Sequence, residues 1–128
     1  MGNIMAKILI VDDDAHIRLL LEQTLEDFED KGVELLSASN GKEAIDTILK
    51  EKPDIVFLDI MMPEVNGFDV CSRIKNEYRL MNVFIILLTA NGQQSYLKSG
   101  SDYGANLYMT KPFDPNYVVK KVSEILGI

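Results

Sequence analysis

The stretch Ile8-Leu9-Ile10-Val11-Asp12-Asp13-Asp14 joins four aliphatic residues directly to three acids. A short aliphatic run of this kind is typical of a strand that is buried on both faces of a parallel sheet. The acids lie where such a strand would end and a helix would begin, and Asp14 occupies the expected N-cap position of that helix. The stretch therefore predicts a buried first strand whose carboxyl end carries acidic side chains.

Further apolar runs follow along the chain, and helical patterns alternate with them. The runs cover residues 33–38, 55–58, 83–88 and 106–109. The clearest helical stripes extend over residues 17–28, 44–49, 68–74 and 118–126. Residues 93–101 have only a faint periodicity, which predicts a weakly anchored fourth helix between them. The pattern predicts an α/β fold: a doubly wound, five-stranded parallel sheet with five helices and right-handed crossovers.

The polarity of the runs indicates which strands lie at the edges of this sheet. The second run contains Glu34 and Ser37, and the fifth run is short and mixed. The other runs are almost wholly apolar, as expected of interior strands. With strands two and five at the edges, the pattern fits the order 2-1-3-4-5, in which ligands bind beyond the carboxyl ends of the strands, where the strand order reverses.

Reactive side chains stand at the carboxyl ends of the predicted strands. The first strand is expected to end in Asp12 and Asp13, the third in Asp59 and the fourth in Thr89, and Lys111 lies just past the fifth. Crowded carboxylates repel one another unless a cation offsets their charge, and Mg²⁺ prefers such oxygen ligands. A carboxylate can also attack phosphorus and form an aspartyl phosphate, with the ion and a lysine offsetting the charge.

Composition narrows the class of protein. The 128 residues suit one domain, which we predict to span 7–128 after an N-terminal extension over 1–6, with no output domain. The net charge of −7 argues against direct binding to nucleic acid or to an anionic membrane. A single cysteine, Cys71, excludes an internal disulfide bond, and no apolar run could span a bilayer. A signal peptide is not recognisable, so we predict a cytoplasmic protein.

From about Lys7 to its end, the sequence resembles the receiver domains of two-component response regulators, the CheY-like family. The resemblance rests on motifs that occur in the family's order and at its spacing. These are Ile8 to Asp14, then Asp59 with Met62-Pro63 and Gly67, then Leu88-Thr89-Ala90, and finally Gly104-Ala105 with Tyr108 and Lys111-Pro112-Phe113.

The resemblance implies a role for each site residue. Asp59 is the expected phosphoacceptor, and Lys111 is expected to contact the phosphoryl group through a loop with a cis bond to Pro112. The expected Mg²⁺ ligands, with Mn²⁺ as a substitute ion, are Asp13, Asp59, the backbone carbonyl of Met61, and Asp12 either directly or through water. Thr89 and Tyr108 are the expected switch pair, in which the hydroxyl moves toward the phosphate and the ring turns inward.

The resemblance also implies partners. A sensor histidine kinase or a phosphotransfer protein is expected to donate the phosphoryl group to the domain, which catalyses its own phosphorylation and slow dephosphorylation rather than acting as a conventional enzyme. The expected output surface is the face formed by the fourth predicted helix, the fifth strand and the fifth predicted helix. The domain is expected to be a monomer or a phosphorylation-dependent dimer.

Two other classes of protein remain open at this point. Asp12 and Asp14 form an acid-x-acid pair after a strand, as in phosphohydrolases of the haloacid-dehalogenase type, although His16 departs from that motif and the chain is too short for a substrate-covering cap. A flavodoxin-like cofactor binder would share the fold. It would, however, need a phosphate-cradling first loop, and the acids in that loop would repel a flavin phosphate.

Overall fold

The computed structural model describes residues 5–90 and 104–128. The strands are β1 (Lys7–Val11), β2 (Glu34–Ala38), β3 (Ile55–Asp59), β4 (Phe84–Ala90) and β5 (Leu107–Lys111). The helices within these ranges are α1 (Ala15–Leu25), α2 (Gly41–Glu51), α3 (Gly67–Ser72) and α4 (Pro115–Leu126). A 3₁₀ segment (Glu26–Lys31) extends α1, and a π-helical segment (Arg73–Glu77) extends α3.

The strands form one parallel sheet in the order β2-β1-β3-β4-β5, which confirms the predicted fold class and strand order. Of the predicted helices, the first three and the last correspond to α1, α2, α3 and α4. The helix predicted over 93–101 lies outside the described residues. Within the described ranges, no helix is both long enough and apolar enough to cross a membrane.

The sheet is covered on both faces, because alternate residues of each interior strand enter different hydrophobic cores. In β1, Leu9 and Val11 belong to one core, together with Cys71, whereas Ile8 and Ile10 belong to the other. Cys71 is fully buried, as its helical stripe predicted, and burial raises the pKa of its thiol to about 11. The rigid double core fixes the carboxyl edge of the sheet, where the predicted site lies.

Side chains cap the N-termini of α1 and α4, as the sequence predicts for Asp14. The Asp14 side chain accepts a hydrogen bond from the backbone N–H of His16, and Asp114 does the same for Asn116 at the start of α4. A cap satisfies backbone donors that have no partner within the helix. Because the Asp14 side chain already caps α1, it is less available to bind a metal ion. This agrees with leaving Asp14 out of the predicted metal ligands.

Candidate functional site at the carboxyl edge of the sheet

Three acids form a cluster at the carboxyl edge of the sheet. Each of Asp12, Asp13 and Asp59 offers a carboxylate oxygen, and these oxygens lie within 4.8 Å of one another. Asp12 and Asp59 are buried, whereas Asp13 is exposed. We call these residues the acidic cluster. Oxygen-only donors at this spacing are the ligand chemistry that a hard divalent cation requires, so the residues present fit Mg²⁺.

Lys111 joins two members of the acidic cluster. Its Nζ atom donates hydrogen bonds to Asp12 Oδ2 at 2.8 Å and to Asp59 Oδ1 at 3.0 Å. The lysine comes from the end of β5, and the bond between Lys111 and Pro112 is cis, as the family resemblance implied. One ammonium group therefore bridges strands that are far apart in sequence, and it partly offsets the charge of the cluster.

The pKa values reflect this crowding. Burial raises the pKa of Asp59 to about 6; the hydrogen bond from Lys111 opposes the rise and the nearby Asp12 carboxylate adds to it. For Lys111, burial lowers the pKa, but the hydrogen bonds to Asp12 and Asp59 outweigh burial, so the pKa is raised. Lys111 thus stays charged near neutral pH, whereas an ionised Asp59 is unfavourable when no cation is bound.

We therefore expect Asp59→Asn to stabilise the metal-free protein near neutral pH. Because the pKa of Asp59 rises from 3.8 to about 6 on folding, this group stabilises the fold below pH 4 and loses that contribution as the pH rises through 6. Two pKa units correspond to at most about 3 kcal/mol, which we discount for solvent access to about 1–2 kcal/mol.

Urea unfolding with a chelator present, at pH 4 and at pH 7.5, measures this effect. The gain in the free energy of unfolding is expected at pH 7.5 and should vanish at pH 4. An equal gain at both pH values would show that the carboxylate charge is not its cause.

Asp12 is held by backbone as well as by Lys111. Its Oδ1 atom accepts from the backbone N–H of Asp14 at 2.9 Å, and its own carbonyl oxygen accepts from Arg18 Nη1 at 2.6 Å. Both carboxylate oxygens of Asp12 therefore already accept a protein hydrogen bond. Arg18 was not among the predicted site residues. Its position in the first turns of α1 was the available signal, but its reach to β1 depends on the tertiary structure.

The predicted switch residues lie on neighbouring strands, Thr89 on β4 and Tyr108 on β5. Thr89 is buried within β4, and its hydroxyl donates to the carbonyl oxygen of Ala90 at 3.4 Å. The Tyr108 ring packs against the core that contains Leu9, and its hydroxyl oxygen is buried. The ring therefore points inward in this structure, whereas the Thr89 hydroxyl bonds to its own strand.

The loop after β3 carries Met61, whose backbone carbonyl is a predicted metal ligand. Met61 lies two residues beyond Asp59, and 60% of its surface is exposed. The N–H groups of Met62 and Gly67 both donate to the carbonyl oxygen of Ile60, so the loop closes tightly over the end of β3. The loop thus keeps Met61 near the end of β3 that carries Asp59, and the ligand role of its carbonyl stays a prediction.

Comparison with known proteins identifies the class to which this fold and site belong. Residues 8–123 match the model of the response regulator receiver domain, and the chain belongs to that family. Phosphorylation and the use of Mg²⁺ are general features of the family, and receiver domains interact with histidine kinases. The chain is accordingly a receiver domain of the phosphorelay type, and the predicted family and function are confirmed.

Particular relatives agree with this assignment. The chain is 40% identical over 126 residues to the "Probable transcriptional regulator ycf27" of Porphyra purpurea, covering 98% of this chain and 49% of the relative. It is 38% identical over 120 residues to the alkaline phosphatase synthesis transcriptional regulatory protein PhoP of Bacillus subtilis, covering 94% and 48%. The chain thus spans about half the length of these curated relatives.

Among solved structures, the chemotaxis protein CheY4 of Vibrio cholerae superposes with a TM-score of 0.82 at 30% identity. The match covers 95% of this chain and 99% of CheY4.

Proposed function

We propose that Asp59 is the residue that accepts the phosphoryl group, from a phosphohistidine of a sensor kinase or phosphotransfer protein. An Asp59 oxygen forms a bond to phosphorus as the bond from phosphorus to the histidine nitrogen breaks, and the phosphohistidine ring, protonated on its other nitrogen, leaves as neutral histidine. The observation that carries the proposal is the bridge from Lys111 to both Asp12 and Asp59. It sets the Lys111 ammonium group beside the buried carboxylate of Asp59, where negative charge develops during phosphoryl transfer.

The hydrogen bonds favour Asp59 over its neighbours as the nucleophile. Asp12 is fully buried and both of its carboxylate oxygens accept protein hydrogen bonds. Asp59 has, among the described residues, one hydrogen-bond donor, Lys111, which bonds to Oδ1. The second oxygen of Asp59 is thereby available for attack on phosphorus.

The predicted metal ligands divide into two groups in our proposal. Asp13, Asp59 and the Met61 carbonyl would bind Mg²⁺ or Mn²⁺ directly, and Asp12 would act through water because Lys111 and the Asp14 N–H engage its oxygens. When bound, the ion offsets charge on the acidic cluster and on the phosphoryl oxygens. The contribution of the protein is to hold these oxygens in place before the ion arrives.

Signal output would use Thr89 and Tyr108. The Thr89 hydroxyl would leave the Ala90 carbonyl and donate to a phosphoryl oxygen, while the inward Tyr108 ring fills the adjoining space. Shifting a domain from mostly off to mostly on needs about 5.5 kcal/mol of differential binding. A hydrogen bond to a charged group contributes roughly 1.5–3 kcal/mol, so two or three new contacts suffice.

Several wider expectations accompany this proposal. The output surface would be β5 and α4 together with residues of the predicted fourth helix, and the downstream partner would be a protein. The domain would be a monomer or form a dimer on phosphorylation. We continue to predict a domain over 7–128 and a cytoplasmic location. Because the chain spans about half of its curated relatives, the activity of any whole regulator is a separate question.

The test is to mix the chain with a small-molecule phosphodonor and follow its intact mass. We expect one phosphoryl group per chain with Mg²⁺, none with a chelator, and release of the group by hydroxylamine, which cleaves acyl phosphates. A chain that gains no phosphoryl mass, or that holds the group through a hydroxylamine-stable ester, would contradict the proposal.

The phosphohydrolase alternative finds little support in the geometry. Its nucleophile would be Asp12, whose oxygens are already bonded, and its acid would be Asp14, which caps α1. Repeated turnover of ordinary phosphate esters, lost in Asp12→Asn but kept in Asp59→Asn, would reverse this judgement. The flavin alternative would place a phosphate beside the acidic cluster, where the charges repel it.

A further inference from the structure

Arg18 contacts the backbone of the acidic cluster from α1. Its Nη1 atom donates to the carbonyl oxygen of Asp12 at 2.6 Å, and Arg18 as a residue is half-buried. A charged donor makes this bond shorter and stronger than one between neutral groups. The carbonyl belongs to the planar peptide unit that connects Asp12 to Asp13. Arg18 therefore fixes the orientation of the backbone that carries Asp13.

The other contacts of Asp12 leave this orientation for Arg18 to set. The Asp12 side chain is held by the Asp14 N–H and by Lys111, and its own N–H donates to the carbonyl oxygen of Ala38 at 3.3 Å. None of these bonds reaches the carbonyl of Asp12. Asp13 itself is exposed, and its carboxylate lies within the acidic cluster.

We infer that Arg18 is a positioning residue for the metal site, which turns the Asp12–Asp13 peptide so that the Asp13 carboxylate faces Asp59. Arg18 acts through Asp13 and touches neither the metal nor the phosphoryl group. The inference rests on the proposed function, since it assumes that Asp13 and Asp59 bind the cation.

Positioning and simple charge predict opposite effects of removing Arg18. Its positive charge repels a divalent cation nearby, so by charge alone Arg18→Gln would bind Mg²⁺ more tightly. If Arg18 orients Asp13, the same substitution frees the Asp12–Asp13 peptide and weakens Mg²⁺ binding. Replacing residues that orient a metal ligand commonly weakens metal affinity by about 10- to 100-fold.

The experiment measures Mg²⁺ affinity by titration calorimetry, with Mg²⁺ alone and no phosphodonor. We expect Arg18→Gln to bind Mg²⁺ about tenfold more weakly than the wild-type chain. Arg73→Gln removes the same charge from an exposed position paired with Glu77, and should leave the affinity unchanged. At saturating Mg²⁺, the phosphorylation rate of Arg18→Gln should return toward that of the wild-type chain.

An affinity of Arg18→Gln equal to or tighter than that of the wild-type chain would overturn the inference. If Arg18→Gln does not fold, Arg18→Lys decides the question: it keeps the charge but lacks the planar fork of donors, so it should also bind Mg²⁺ more weakly. A wild-type chain that binds Mg²⁺ but gains no phosphoryl group would refute the proposed function, while the affinities would still decide the role of Arg18. No Mg²⁺ binding by the wild-type chain would refute both.

Discussion

Asp59→Asn is expected to abolish phosphoryl uptake, with the intact mass unchanged after incubation with a phosphodonor and Mg²⁺. An amide keeps the size of the side chain and can still accept the Lys111 hydrogen bond, but it lacks the anionic oxygen that attacks phosphorus. Because Asp59 is buried at the end of β3, the substitution changes little of the surface. The expected change is therefore from one phosphoryl group per chain to none.

A matched control separates loss of the nucleophile from loss of charge. Asp46→Asn makes the same chemical change at an exposed position of α2 and should leave phosphoryl uptake intact. Asp59→Asn should also remain folded, since we expect it to gain stability near neutral pH. Uptake by Asp59→Asn at the stoichiometry of the wild-type chain would mean that another residue accepts the group.

The sheet and the positions of the reactive side chains could be predicted because both follow from one pattern. Apolar runs that end in Asp12 and Asp59 define interior parallel strands, and parallel strands bring their carboxyl ends to one edge. The N-cap function of Asp14 follows from the same junction. Pairing of β1 with β3 then brings the ends that carry Asp12 and Asp59 side by side.

The strand ends were less predictable. The apolar runs ended at residues 88 and 109, but β4 continues to Ala90 and β5 to Lys111, where Thr89 lies opposite Thr110. Polar residues continue a strand when a neighbouring strand supplies hydrogen bonds, and a hydrophobic pattern does not report those bonds. Lys111 thus lies at the end of β5, whereas the sequence predicted it just past that strand.

The contacts of Arg18 and Gly67 could not be read from local sequence at all. The hydrogen bond from Arg18 to the Asp12 carbonyl depends on how α1 packs beside β1, so it forms only in the tertiary structure. The importance of Gly67 depends on how closely the start of α3 approaches the end of β3. An ideal Cβ atom on Gly67 would lie 2.4 Å from the carbonyl oxygen of Asp59 and 2.8 Å from Cα of Ile60. Both obstacles are backbone atoms, which cannot swing away.

Gly67→Ala should therefore destabilise the domain and displace the site together. Relieving the overlap requires α3 to move away from β3. We expect this to lower the free energy of unfolding by about 3 kcal/mol, the upper range for overpacking a core. The Asp59 backbone must shift as well, and a displacement of about 1 Å can slow a reaction roughly 100-fold. Urea unfolding measures the loss of stability. The phosphorylation rate, determined without urea at a temperature where the variant is folded, measures the displacement of the site.

Gly127→Ala distinguishes this steric effect from the general cost of replacing glycine. Gly127 has a φ of 71°, so alanine there is strained, but no atom of the described residues lies within 4 Å of its ideal Cβ atom. Its expected cost is about 1–2 kcal/mol, the price of a left-handed residue, with no change in phosphorylation rate. If Gly67→Ala lost no more stability than Gly127→Ala and reacted at the wild-type rate, then α3 could withdraw without moving Asp59. The tight contact between the first residue of α3 and the last of β3 would then not be what holds the phosphoacceptor in place.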